Sequence, residues 1–499
     1  MKPIRSADFS VRQARGLLWR AGFGGTAGQA RTLAEWGPAR AVDYLLDTDS
    51  ISYAHKDDGS FADDIMVPLS EWERQEFRRA RQTGDEETVS RFRTRRQNMQ
   101  RKDRKQIAAI QRWWLARMIE TPKPLEEKMT LFWHGHFVSG YRAVENSYHL
   151  LMQNNLFRAN ALGSFSDLLR AIIRDPAMLE YLDNKRSRKQ APNENLAREL
   201  MELFSLGVGG YTEKDIKEGA RALTGYSYEG NEFVFNRRQH DPGTKTILGV
   251  TGSLDGDGFV DAILRQRACA EYMSWKLYRY FVADIGPDFR EAPAQAQAVI
   301  RKMATTMRKS RFEVKPVLRE LFLSEHFYDR AVMDCKIKTP VELLVGAIRS
   351  LGAPTRKMGT LIDALDLMGQ NLFEPPNVAG WPGGRSWVNT STLFARQNTL
   401  TYLLTGMKPG MKKKRRRNRE DASSVTNALV ADLGAPADDA DLLATALLEH
   451  LLGGAATPLR PDRQHAVVRI LEGRSEGRRS DALRDAITLV TALPEYQLC

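Results

Sequence analysis

Residues 191–216 read APNENLARELMELFSLGVGGYTEKDI, and they decide the fold class. Pro192 stops whatever precedes it, and Asn193 is a good N-cap because its short side chain accepts from an orphan amide of the first turn. Leu196, Leu200, Leu203 and Phe204 recur at helical spacing and make an apolar stripe. Gly207 follows as a residue free to take positive φ at a helix end. Thr212, with Asp215 three residues on, opens the next helix in the manner of a capping box. Start signal, stripe, stop and new start are the grammar of a mainly α protein.

The same period extends in both directions. Val11, Ala14, Leu17 and Leu18 share one face of 10–20. Ile107, Ile110, Trp114 and Met118 share one face of a long amphipathic helix over 103–120. Residues 124–137, 145–160, 164–174, 258–282, 290–308, 314–324, 339–351 and 358–369 are also expected to be helical. The period breaks at YSYEGNEFVF, residues 226–235, where residues alternate around Gly230-Asn231; glycine at the first turn position suits a type II′ hairpin. Residues 236–249 and 370–390 read as irregular loops, the second with two tryptophans, and a loop that long in a folded unit is usually packed and often functional. The expected architecture is a multi-helical globular domain over 1–406 with one small β-hairpin insertion, a basic linker over 407–424, and a C-terminal helical segment over 425–499 that packs on or beside the main domain.

The composition agrees. The chain has 499 residues, 42% hydrophobic and 27% charged, enough to bury one large core or two ordinary ones. No run of about 18 apolar residues occurs, so no membrane span is expected. The start, MKPIRSADFSVRQARGLLWRAGFGG, lacks the apolar centre of a signal peptide, and a cytoplasmic location is the expectation. Cys269, Cys335 and Cys499 are widely spaced and read as reduced thiols. The net charge is +12, and much of the excess is local: eight Lys or Arg against one Asp from Arg91 to Lys105, and six basic residues in a row from Lys412 to Arg417. Such runs fit a nucleic acid or another anionic polymer, or a solvated helix face and a linker; no aromatics are interleaved to stack on bases. A nucleotide cofactor is not expected, because there is no Walker loop and no GxGxxG after a strand; HExxH and GxSxG are missing too.

Three segments carry residues fit for chemistry. His134 and His136, in Phe132-Trp133-His134-Gly135-His136-Phe137, stand two residues apart, about 200° around an ideal helix, so they can share a metal only if the helix ends near Gly135. Asn195, Glu199 and Glu202 follow at i, i+4 and i+7 with Arg198 beside them, a face suited to metal binding, to acid–base work, or simply to solvent. His240-Asp241 lies in the loop after the hairpin, in a good turn sequence, with Lys245 close by. Imidazoles and carboxylates in this mixture suit zinc, manganese or iron.

Several strings together resemble a bacterial domain-of-unknown-function family, the one numbered 1800. They are LLWRAGFGG near the start, LFWHGHFVSG at 131–140, the 191–216 segment, ARALTGY at 220–226, HDPGTKTILG at 240–249, GQNLFEPPNVAGWPGGRSWVNTSTLFAR at 369–396 and LPEYQL at the end. The resemblance spans nearly the whole chain. It implies a mainly helical protein without an agreed activity, often encoded beside a protein similar to the phosphatase and sulfatase superfamily. Many members carry export signals, which this chain lacks; export together with such a partner is the alternative location. The family's strings hold His134, His136, Asn195, Arg198, Glu199, Glu202, His240, Asp241, Trp381 and Trp387. The leading expectation is a divalent-metal hydrolase. His134, His136 and Glu199 or His240 are its metal ligands. Glu202 or Asp241 serves as base, Arg198 assists, and Trp381, Trp387, Asn195 and Lys245 bind substrate. The alternatives are a non-catalytic partner or scaffold for the phosphatase-like neighbour, and an anionic-polymer or nucleic-acid binder using the basic runs. These patterns specify no oligomeric state.

Overall fold

In the computed structural model, the described residues are 1–48, 50, 51, 53, 61–286, 288–333, 335–353, 356–407, 417–436, 438–452, 461–473 and 479–499. The expected linker falls largely outside them; a helix, Arg417–Leu433, begins within its last residues. Helices hold 66% of the chain, and the only sheets among the described residues are two antiparallel strand pairs. The mainly α expectation, with a small hairpin insertion, is what the structure shows.

The deciding segment folds with two refinements. The helix starts at Asn195, with the Asn193 side chain accepting from the Asn195 amide (2.9 Å). After Met201 the backbone widens into a π-helical turn, Glu202–Leu206, that ends at Gly207 with φ 76°. Thr212 and Asp215 form the reciprocal capping box. The expected hairpin pairs β1 (Tyr226–Glu229) with β2 (Glu232–Phe235), Tyr226 opposite Phe235, around Gly230 at φ 59°. A second pair, β3 (Lys245–Ile247) with β4 (Val250–Gly252), lies partly in the segment expected to be irregular. Residues 258–282 are not one helix: Gly256–Arg265 and Arg267–Phe281 meet at Gln266, whose ψ of 131° breaks the ladder.

Two apolar cores form. One gathers Leu17, Trp133, Phe137, Leu200, Phe204, Met273 and Leu318; the other gathers Trp114, Leu344, Leu365, Phe373, Leu403, Leu447 and Val490. The second draws on both the 103–120 segment and the C-terminal helices, which pack against the helices Thr390–Thr405 and Ala27–Leu46. The basic run 91–105 lies on one 35-residue helix, Glu86–Glu120, about 52 Å long at 1.5 Å per residue.

The helix Pro124–His136 runs between the cores, with Leu131 in one and Phe132 and Trp133 in the other. Two buried ion networks fix its first half. Glu127 accepts from Arg117 Nε (2.5 Å), Arg158 Nε (2.6 Å) and Trp114 Nε1 (2.9 Å). Lys128 pairs with Glu342 (2.9 Å) and donates to the carbonyls of Trp19 (2.9 Å) and Gly22 (2.7 Å), while Lys336 meets both Glu342 oxygens at 2.7 Å. Charges this deep persist only when paired and hydrogen-bonded. The second half of the helix carries the two histidines.

Candidate functional site: a pocket under the glycine–tryptophan loop

The helix Pro124–His136 does not end at Gly135 but runs through His136, so the two imidazoles leave it on different sides. His134 is sandwiched among Trp114, Phe373 and Trp381, and its Nε2 accepts the Phe373 backbone N–H (3.1 Å). Burial lowers its pKa to about 3, so it is a neutral packing group. His136 packs among Phe132, Trp133, Phe137 and Phe204, and its Nε2 donates to the carbonyl of Phe204 in the π-helical turn (3.0 Å). That bond sets the tautomer and leaves Nδ1 a bare acceptor; it is buried and has no hydrogen-bond partner. Burial, and then the nearby Lys276 charge, push its pKa well below the usual histidine value.

His136 opens onto a cavity of about 150 Å³, walled by Phe132, Tyr280, Trp381 and Trp387 and edged by Lys276, Arg279, Asp284, Thr339 and Gln370. The sequence GWPGG makes this roof possible. Gly380 has φ 81°, and a Cβ there would fall 2.4 Å from the Gly135 carbonyl oxygen; Gly384 has φ 54°, and its Cβ would strike the Asp284 carboxylate. Glycine therefore lets the loop press onto the histidine helix and onto Asp284. A 3-10 turn, Gly384–Trp387, then buries Trp387.

Two basic residues come from the helix Arg267–Phe281, three positions apart. Arg279 is held by Asp284 (2.9 Å), yet its Nε is buried without a partner. Lys276 is half-buried. Among the described residues it meets no carboxylate and no hydrogen-bond acceptor; its ammonium lies 5.6 and 5.7 Å from the rings of Tyr272 and Trp275. Burial, then repulsion from Arg279, lower its pKa to about 8. Lys336 also edges the pocket but is committed to Glu342. Lys276 and Arg279 did not stand out in the sequence, where 258–282 read only as a helix. The spacing of two cations among aromatics was the one available signal.

Of the residues expected to form a site, the pocket brings together His136, Trp381 and Trp387; the others do not line it. Arg198 bridges Glu213 (2.9 and 3.0 Å) and Glu194 (3.2 Å), and Asn195 is exposed at the helix start. Glu202 accepts from the Tyr211 hydroxyl (2.6 Å). Glu199 is half-buried beside it, and its pKa is raised by burial and then by the Glu202 charge. His240 Nδ1 donates to the Thr224 carbonyl (2.9 Å), and Asp241 accepts from Arg221 Nε (2.7 Å). The Arg221 guanidinium holds the Asp241 carboxyl below its ordinary range. Lys245 is buried and donates to the carbonyls of Asp241 (2.6 Å) and Gly243 (3.0 Å), which organises the loop between the two hairpins. Among the described residues, no three His, Cys, Asp or Glu side chains gather as a metal's ligands would.

A mainly helical protein with an aromatic pocket roofed by a glycine loop is thus the class that fold and site define. The chain belongs to the family described as Protein of unknown function (DUF1800), whose model matches residues 16–498. No curated protein and no solved structure matches it.

Proposed function

We propose that the pocket under the 380–387 loop binds a small anionic ligand. The observation that supports this best is Lys276, a half-buried ammonium in a cavity wall with no counter-ion among the described residues. A cation left unpaired costs free energy, and an anion entering the pocket recovers it. Arg279, which also lines the pocket and is held there by Asp284 (2.9 Å), adds a second cation. If the protein is a hydrolase, Lys276 and Arg279 stabilise the negative charge that develops.

The divalent-metal version of the hydrolase is less well supported. Nε2 of His134 already accepts from Phe373, and Nε2 of His136 and Nδ1 of His240 already donate to backbone carbonyls. A metal shared by them would have to displace those bonds and bring together side chains that point into different surroundings.

Calorimetric titration with inorganic phosphate and with sulfate tests the anion reading. Binding is expected to weaken about tenfold or more in Lys276→Met. It should also weaken as pH rises through about 8, where Lys276 loses its proton. Absence of binding by either anion, or binding indifferent to Lys276, sinks the reading.

A further inference from the structure

We infer that the helical hairpin made by Glu71–Thr83 and the first half of Glu86–Glu120 is a docking surface for single-stranded nucleic acid. It is separate from the pocket and does not depend on the anion reading.

The two helices join through Gly84, at φ 74°, and run antiparallel. Glu76 pairs with Arg91 (2.5 Å), Glu73 pairs with Arg95, and Phe77 meets Phe92 edge to face at 5.4 Å. The short helix packs chiefly on the long one, and between residues 71 and 98 only Ala80 and Phe92 are buried. The hairpin is thus held along one seam and open on its other faces.

One open face is basic and carries an indole. Arg91, Arg95, Asn98, Lys102 and Lys105 follow at i, i+4, i+7, i+11 and i+14, within an arc of about 80° and over about 21 Å. On the short helix Trp72, Glu76 and Arg79 follow at i, i+4 and i+7; because Glu76 reaches Arg91, their face adjoins the basic one. Trp72 is 68% exposed, and Arg79, Lys102 and Lys105 are exposed with no carboxylate partner among the described residues. The carboxylates on this face are Glu73, Glu76 and Glu87, and the first two are spent on Arg95 and Arg91. Asp103 is buried and accepts from the Ser147 amide (3.0 Å) and hydroxyl (2.6 Å), so it does not offset the surface cations. Residues 71–105 hold twelve Lys or Arg against seven Asp or Glu, and ten of the twelve are Arg, whose planar fork matches two oxygens of one phosphate.

The run 91–105 contains no tryptophan or tyrosine; folding brings Trp72 to it from the preceding helix. Cations that follow a phosphate backbone beside a ring that stacks on an unpaired base are the parts of a single-strand site. A duplex offers the phosphates but keeps its base faces stacked. Trp72 is the one large apolar side chain exposed on the two helices, too few for a face that enters a lipid surface.

The test is fluorescence anisotropy of a labelled oligouridylate of about twelve nucleotides with the full chain, beside a duplex of the same length and heparin. Binding of the single strand is expected to weaken about tenfold or more between about 50 and about 200 mM salt, and to exceed binding of the duplex. Trp72→Ala should weaken it about tenfold and leave heparin binding unchanged, whereas Lys102→Glu/Lys105→Glu should weaken both. Absence of binding at the lower salt, equal affinity for the duplex, or indifference to Trp72→Ala overturns the inference. Heparin losing as much as the oligonucleotide in Trp72→Ala also overturns it, and gives the face to a sulfated polysaccharide instead. Salt dependence and strand preference are read on the native chain, so the outcome does not hang on how the variants fold.

Discussion

The two halves of the helix Pro124–His136 treat buried polar groups in opposite ways. In the first half, Glu127 accepts four hydrogen bonds from three side chains, and Lys128 has a carboxylate and two carbonyls. In the second half, His136 keeps one nitrogen bare, and Lys276, a cation lining the cavity beside it, has no carboxylate partner among the described residues. Buried polar groups without partners are uncommon, and each calls for its own explanation. On the function proposed above, Lys276 awaits an anion, and the contrast is between charges paired within the fold and one that is not.

The largest effect should come from breaking the satisfied end. Glu342→Gln leaves Lys128 and Lys336 without their carboxylate, and a loss of about 3–5 kcal/mol in unfolding free energy is expected by denaturant titration. The native carboxyl is held down to about pH 2 by the two lysines. Its stabilisation is therefore complete above the ordinary glutamate value and fades as pH falls toward 2; acid titration of the wild type beside the variant would reveal it. A stable Glu342→Gln protein would show that the networks are dispensable and would erase the contrast.

The unsatisfied end should respond with the opposite sign. Lys276→Met is expected to stabilise the chain by on the order of 1–2 kcal/mol at neutral pH, because it removes an ammonium that folding leaves unpaired. The sign follows from proton counting. Between about pH 8 and the ordinary lysine value of 10.5, the unfolded chain holds a proton on this residue that the folded chain has released. The contribution of Lys276 to stability thus rises with pH across that window. Unfolding midpoints of wild type and Lys276→Met should converge there, and a variant that is less stable than wild type at pH 7 would show that Lys276 holds the fold. The smallest effect is reserved for the surface: Arg198→Ala removes only solvent-facing ion pairs to Glu194 and Glu213, and the melting temperature should not move measurably.

Much of this was legible in the chain. The apolar stripe of Leu196, Leu200 and Phe204, the cap at Thr212 and the hairpin around Gly230 were all written in local signals of propensity and period, which act over a few residues. The break at Gln266 was not legible, since the apolar pattern continues through it and only the packing of the two shorter helices requires a corner. The site was half legible. Trp381, Trp387 and the glycines between them stood out as an unusual loop, and His136 as an unusual histidine. The expected gathering of His134, His136, Glu199 and His240 did not appear, because sequence spacing cannot tell which way a side chain leaves a helix or whether its nitrogen already has a backbone partner.

By itself the sequence determined the mainly helical class, the insertion of a hairpin and membership in the family, because those rest on periodicity, caps and strings read along the chain. Only the tertiary structure decided that the loop at 380–387 closes over His136, that the Arg267–Phe281 helix brings Lys276 and Arg279 to the same cavity, and that the other polar motifs are spent on turns and ion pairs. The physical reason is that a polar group's role depends on what satisfies it, and the backbone groups that do so for His136 and His134 lie 68 and 239 residues away.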